Sequence, residues 1–597
     1  MASMLNRTCL TAMWVLFLVC SCLPLSAATW YVRVDGGTRY SANVPAGQCD
    51  GLADTAYPGS GVNQHCAFKD VRYLWADGIY TYGKAFPGWG WVGAGGDTYI
   101  IRGSIGSGVT WRVGWNNISS YCDKAGCWGI TGYSIGSGAP PPPSGTAAHH
   151  TRVLGENYAS CRSAAAKTQL HGGWSAYAVL NLSGASYVDV ACLDITDFSA
   201  CGSSTQKVAC NNTQDFAGNG ILFSNTSTHI TLTDVHIHGL AAAGIYGPTG
   251  DGVVLDYVDI LGNASSGWNA DLSNGTTGKG SLLVQHYNIS WNGCAEEYPI
   301  VHPLPYGDCT DQDHGGYGDG FGTTTKDSDP PGWQVHFDHG IVSFNTQDGL
   351  DALHIGGKGS SMTVTNTIAF SNMGQQIKVG GATATITDSY IVSNCRAMSH
   401  AIPGTPPRYN ANLDLFCRAG DTGVLIEVPD AQPAVYQHNI LYSNGHVGLE
   451  VEYPGDHSSV GGAIKYDNNI FIGFPNSEGD YASPIYSNTD LKMFTNPGSS
   501  FSHNITYHAK RDWKCPATWL HEVAGSCDDP HLKDETWHSY GFGDPTPTQP
   551  FAADPPQDEP GKASGISSAS IAMKSLGVAI LATGVWTGLR FLRGSGS

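Results

Sequence analysis

The chain has 597 residues, 77 of them glycine, only 13% charged, and a formal net charge of −20. That composition excludes a helix bundle, whose wet faces need Glu, Lys and Arg, and the lack of any basic stripe excludes nucleic acid as a partner. The length leaves either several domains or one long solenoid, and alternating Thr, Val, Ile, Ser and Asn with little 3.6-residue periodicity favour the solenoid.

Residues 1–28 read as an export signal. Arg7 supplies the positive start, Cys9 to Leu25 is apolar, and Leu25-Ser26-Ala27-Ala28 offers small residues for cleavage. Val19-Cys20-Ser21-Cys22 is the less clean alternative, a degenerate lipobox. Export places the protein outside the cell or at its surface. The next element, Thr29 to Val34, reads as a first strand. Gly96-Asp97-Thr98-Tyr99-Ile100-Ile101-Arg102-Gly103 follows as a turn leading into a second. Residues 135–150, with Pro140 to Pro143, are a loop or short linker.

From about residue 215 an apolar strand closing on Asn recurs, at Asn263, Asn292, Asn345, Asn372, Asn394 and Asn444. The steps are 29, 53, 27, 22 and 50 residues. Steps of 22 to 29 fit one coil of a β-solenoid, and the two long steps fit either two coils or one coil with a long loop. The closing Asn residues are expected to stack as a turn ladder, because Asn tolerates left-handed turns and bonds local backbone. The Leu-x-x-Leu-x-Leu frame of leucine-rich repeats is missing, and so is a propeller-like period near 40 residues. The expectation is an all-β, right-handed parallel β-helix forming a single long domain over residues 29–540. A Pro- and Asp-rich linker follows over 541–565, and residues 566–597 read as a C-terminal membrane anchor. In that last segment Ser575 to Leu589 is uncharged and Arg590 and Arg593 follow it. The alternative is a terminal strand or helix packed on the solenoid.

Three of the 17 cysteines fall in the signal, leaving an even 14. Close pairs are Cys49 with Cys66, Cys294 with Cys309, Cys395 with Cys417 and Cys515 with Cys527. With no Cys-x-x-Cys at metal-ligand spacing, these read as disulfides of an oxidising compartment rather than as zinc ligands.

The densest polar stretch is Asp311-Gln-Asp313-His314, then Asp319-Gly-Phe-Gly322, then Gln347-Asp348-Gly-Leu-Asp351 and His354, then Gln375-Gln-Ile-Lys378. Superposing these segments at offsets of 29 and 27 residues puts Phe321, Leu350 and Ile377 in one inward column. Asp319, Asp348 and Gln375 share an outward column, and Gly322, Asp351 and Lys378 share another. With coils about 4.8 Å apart, three carboxylates crowd together and call for a cation. Calcium suits an oxygen-only set, and a purely structural calcium site would not need the lysine. His314 and His354 are weaker candidates as substrate-lining residues, and Asp311 and Asp313 as added ligands.

This layout resembles the family-nine polysaccharide lyases, the parallel β-helix enzymes of pectate lyase type. The residues that carry the resemblance are Asp319-Gly320-Phe321, Gln347-Asp348-Gly349-Leu350-Asp351, Lys378-Val379-Gly380-Gly381 and the early strand Gly96 to Gly103. It spans residues 29 to about 480. It implies Asp319, Asp348 and Asp351 as Ca²⁺ ligands and Lys378 as the general base of a β-elimination on a uronate-containing glycan. Gln347 stands where the family has the first aspartate of a pair. An amide oxygen can still coordinate there, with one negative charge fewer and so a lower expected affinity.

The chemistry is coherent without the family. Removing the weakly acidic C5 proton of a uronate is eased by a cation on its carboxylate, and a lysine beside a divalent cation has its pKa pushed down. The expected partner is an acidic polysaccharide bound by a monomer. Two alternatives remain at this point: a glycoside hydrolase on the same fold using Asp348 and Asp351, and a non-catalytic glycan-binding surface protein.

Overall fold

The computed structural model describes residues 27–76, 90–114, 138–173, 176–198, 217–270, 278–293, 318–323, 332–353, 355, 359–393, 422–428, 432–443, 445, 447–452, 462–473, 481–487, 492–508 and 522–530. The chain winds as a right-handed parallel β-helix. Among the described residues every strand pairing is parallel, and strands inside the stack bond to a counterpart one coil earlier and one coil later. Parallel neighbours in one sheet require crossover connections, and those are right-handed. Among the described residues there is no α-helix, only short 3-10 turns such as Val71–Leu74. The first expected strand forms as Thr29–Gly37 and pairs with Thr98–Ile101, which follows the Gly96 turn as anticipated.

Three strand series run up the coil stack. The first passes through Gly280–Gln285, Trp333–Asp338, Ser361–Thr365 and Thr383–Thr387. The second passes through Asn288–Ser290, Ile341–Ser343, Ile368–Phe370 and Tyr390–Ser393. In two coils the first and second series merge into the long strands Thr228–His238 and Val253–Leu261, which bend where the series meet at a left-handed residue, Asp234 (φ 54) or Tyr257 (φ 57). The same bend falls at His286, His339, Asn366 and Asp388 in later coils. The third series is a separate ten-stranded sheet, and it carries the polar cluster of the sequence.

The closing Asn residues form the expected ladder. Asn263 bonds Asn292, Asn292 bonds Asn345, Asn345 bonds Asn372, and Asn372 ends on the Gln376 side chain, at 2.8–2.9 Å. All are buried, so each amide satisfies its neighbour in place of water. Asn394 and Asn444 lie outside the described residues. A second ladder, Asn439–Asn469–Asn504, runs at a different corner. The ladder also settles the long steps. Asn292 and Asn345 are 53 residues apart yet directly bonded, so that step is one coil with a long excursion. Tyr390 likewise pairs straight to Ile440.

Inward positions hold the core as apolar columns. Trp268, Phe321, Leu350, Ile377 and Val424 lie in register, all fully buried. Burial of each large side chain contributes about 1.5–3 kcal/mol.

Cys49 and Cys66 form a disulfide as read from their spacing. The disulfide Cys161–Cys192 was not legible in that way, because its partners are 31 residues apart. It joins a loop to the bend residue Cys192 (φ 63). Cys527 is also disulfide-bonded, while Cys294, Cys309, Cys395, Cys417 and Cys515 lie outside the described residues. No helix among the described residues is long and apolar enough to cross a membrane. The signal, the 541–565 linker and the 566–597 anchor fall outside them.

Candidate active site: a carboxylate–lysine cluster on the third sheet

Three successive rungs of the ten-stranded sheet, Phe321–Gly322, Leu350–Ala352 and Ile377–Val379, build the cluster. Phe321 pairs with Leu350 and Leu350 with Ile377; Gly322 pairs with Asp351 and Asp351 with Lys378. The columns drawn from the 29- and 27-residue offsets are therefore the register of the fold. Side chains alternate across a strand, so the inward residues are core and Asp351 and Lys378 face out.

Each carboxylate is fixed through one oxygen by a backbone N–H. Asp319 Oδ1 accepts from the Asp348 N–H at 3.0 Å, Asp348 Oδ1 from the Gln375 N–H at 2.6 Å, and Asp351 Oδ1 from the Leu353 N–H at 2.8 Å. The second oxygens turn into a shared space. Lys378 Nζ donates to Asp348 Oδ2 at 3.0 Å and to Asp351 Oδ2 at 3.2 Å. One oxygen from each of Asp319, Asp348 and Asp351 lies within 4.8 Å of the others.

Two glycines make room for the carboxylates. A Cβ on Gly322 would stand 2.5 Å from Asp319 Oδ2, and a Cβ on Gly374 would collide with Asp348 Oδ1. Gly322 occupies the column position that carries Asp351 and Lys378 on the next two rungs, so its lack of a side chain admits the Asp319 carboxylate.

The electrostatics follow from three acids and one ammonium in a half-dry corner. Burial, then the Asp348 and Asp351 charges, raise the Asp319 carboxyl well above the usual range. Burial, then Asp348, push Asp351 up to about 7, with Lys378 opposing. Burial works against the Lys378 ammonium, but Asp348 and Asp351 outweigh it and hold the lysine above its ordinary value. The two carboxylates thus favour the ammonium form, whereas a divalent cation held beside them would act in the opposite direction. The cluster is short of positive charge, its donors are oxygen-only, and the Oδ2 atoms converge. Those features fit a hard divalent cation, with Asp319, Asp348 and Asp351 as its holders.

Gln347 directly precedes Asp348 and is nearly buried. Its main chain is bonded to Gly318 and Gly374, on the rungs either side. His314, His354, Asp311 and Asp313 lie outside the described residues. Sequence reasoning missed the Gly322 and Gly374 cradle and the backbone N–H groups of Gln375 and Leu353. The signal for the glycines was present, since each is the small residue that a neighbouring rung requires.

No family model matches the chain, and no curated protein matches it. Among solved structures it is similar to the crystal structure of pectate lyase Pel9A, at 12% identity, over 67% of this chain and 72% of that one, with TM-score 0.31. It is also similar to a rhamnogalacturonan lyase, at 13% identity over 80% and 87%, TM-score 0.36. A third is the catalytic unit of a thermostable GH87 alpha-1,3-glucanase from Streptomyces thermodiastaticus strain HF3-3, at 10% identity over 66% and 62%, TM-score 0.33.

Proposed function

We propose that the chain is a polysaccharide lyase that cleaves a uronate-containing glycan by β-elimination, with Lys378 as general base and a calcium-type cation held by Asp319, Asp348 and Asp351, with Gln347 beside them. The observation that carries the reading is the placement of Lys378 Nζ at 3.0 and 3.2 Å from two carboxylates that share their space with a third. From there the amine reaches the space above the three carboxylates, where a substrate carboxylate on the cation would bring its C5 proton.

When bound, the cation supplies charge withdrawal at the substrate carboxylate and so eases loss of the neighbouring proton. Asp319, Asp348 and Asp351 orient the site through their backbone anchors. Lys378 acts as base as the neutral amine, after its ammonium has given a proton to solvent. Its Nζ then receives the C5 proton, the C4=C5 double bond forms as the C4–O4 bond breaks, and the leaving oxygen takes a proton from solvent. The outward column that holds Asp351 and Lys378 continues through Leu425, Glu450 and Tyr486, which gives an extended chain a track along the coil axis.

An inverting hydrolase fits the geometry less well. Its two carboxyl groups stand about 6.5–9.5 Å apart to admit a water, whereas oxygens of Asp348 and Asp351 lie within 4.8 Å and share one lysine. The disulfides suit secretion into an oxidising compartment.

The test is a panel of uronate polysaccharides incubated with calcium or with chelator. Calcium-dependent appearance of the ultraviolet-absorbing unsaturated uronate end supports the reading and identifies the sugar. Reducing ends released without that chromophore would replace the lyase by a hydrolase. Glycan binding without either product would make the chain a binding protein.

A further inference from the structure

A second constellation lies on another sheet, several coils before the carboxylate–lysine cluster. His236 and His238 are alternate residues of the strand Thr228–His238 and project to the same side of it. One rung earlier, Leu193–Asp197 places Asp194 in register with His236 and Thr196 with His238. The Asp194 side chain is only 2% exposed, while those of His236 and His238 are 19% and 29% exposed. The carboxylate is thus the floor of a shallow recess, and the two imidazoles are its wall.

The three side chains converge. His236 Nδ1 lies 2.8 Å from Asp194 Oδ2, and His238 Nε2 lies 3.2 Å from Asp194 Oδ1. The two rings are stacked with centroids 4.2 Å apart, so both present a nitrogen in the same direction. One donor atom from each residue falls within 4.8 Å of the others. Gln169 Nε2 donates to Asp194 Oδ1 at 2.8 Å from the opposite rung. Lys167, the nearest buried amine, is turned away and donates to the Cys161 and Asp234 carbonyls at 3.2 and 3.0 Å.

We propose that Asp194, His236 and His238 form a binding site for a divalent transition-metal ion of the zinc type, distinct from the calcium-type site. Two imidazole nitrogens and one carboxylate are the donor set of a three-ligand zinc site with one position open to solvent. A tetrahedral ion with ligands at about 2.0–2.1 Å sets neighbouring donors about 3.3 Å apart. The two imidazoles meet different oxygens of Asp194, at 2.8 and 3.2 Å, and one donor from each residue lies within 4.8 Å of the others, so an ion draws the three donors together by rotation of the side chains. Gln169 holds the carboxylate from behind, as an outer partner does in such sites. Asp259, on the following rung and in register with His236, adds a second carboxylate beside the recess. Imidazole donors disfavour calcium here, just as the oxygen-only cluster disfavours zinc. Cysteine spacing argued against zinc, but these donors are two alternate histidines and an aspartate 42 residues before the first of them, which only the coil register brings together.

The experiment uses the full chain stripped with chelator and kept in excess calcium, titrated with Co²⁺ and then Zn²⁺. The expected result is one equivalent of Co²⁺ giving the intense visible bands of a tetrahedral N/O site, displaced by one equivalent of Zn²⁺. In His238→Gln, and in His236→Gln, affinity should fall at least tenfold while far-ultraviolet circular dichroism stays unchanged. Lys378→Ala should bind as the parent does. Absence of tetrahedral bands in the parent would overturn the proposal, and so would Zn²⁺ affinity that survives both histidine substitutions together.

Discussion

Gly322 and Asp319 are two sides of one device: the missing side chain at Gly322 is the space that Asp319 Oδ2 occupies, 2.5 Å from where a Cβ would stand. Asp319 is in turn fixed by the Asp348 N–H at its other oxygen, so it cannot turn aside without losing that bond. Gly322→Ala therefore displaces the carboxylate. Calcium affinity, read by calorimetry, should fall at least tenfold, and stability should drop by about 1–3 kcal/mol for overpacking. Unchanged affinity would remove Asp319 from the cation site.

The Asn ladder makes a separate claim about stability. Asn345 is fully buried, accepts from the Asn292 N–H and Nδ2, and donates to Asn372 Oδ1 and the Ile289 carbonyl. Asn345→Ala strands donors on one side and acceptors on the other, at a cost of about 3 kcal/mol. Denaturant unfolding would show this as a lower midpoint.

Much of the site was legible because its coils differ so little in length. Offsets of 29 and 27 residues superpose Phe321, Leu350 and Ile377, and the fold reproduces that column. Where a coil carries a long excursion, spacing no longer fixes register. The 53-residue step between Asn292 and Asn345 could be read two ways until their direct bond showed a single coil. Cys161 and Cys192 escaped for the same reason, and so did Asp194 with His236, since each pair meets only through the stacking of unequal coils. The hold of Asp348 and Asp351 on Lys378 was not legible, because the two carboxylates are fixed by backbone N–H groups that no sequence pattern marks.

Glu450 adds to the pH dependence that the raised carboxyls of Asp319 and Asp351 already imply. It lies in the Lys378 column two rungs on, and burial, then Glu452, raise its carboxyl from 4.5 to about 7. A raised acid binds its proton more tightly folded than unfolded. Stability is therefore fully present below about 4.5 and declines as pH rises towards 7. Unfolding midpoints measured across that window should fall for the parent and fall less steeply for Glu450→Gln, the remaining slope coming from Asp319 and Asp351. An equal slope in both would assign the dependence to other groups.

The most direct measurement of the central claim is the rate of unsaturated-uronate formation, followed by ultraviolet absorbance, in the parent and in Lys378→Ala under saturating calcium. The account predicts loss of about 10²–10⁴-fold in rate with glycan binding and calcium binding retained. A Lys378→Ala protein that forms the unsaturated product at the parental rate would contradict it.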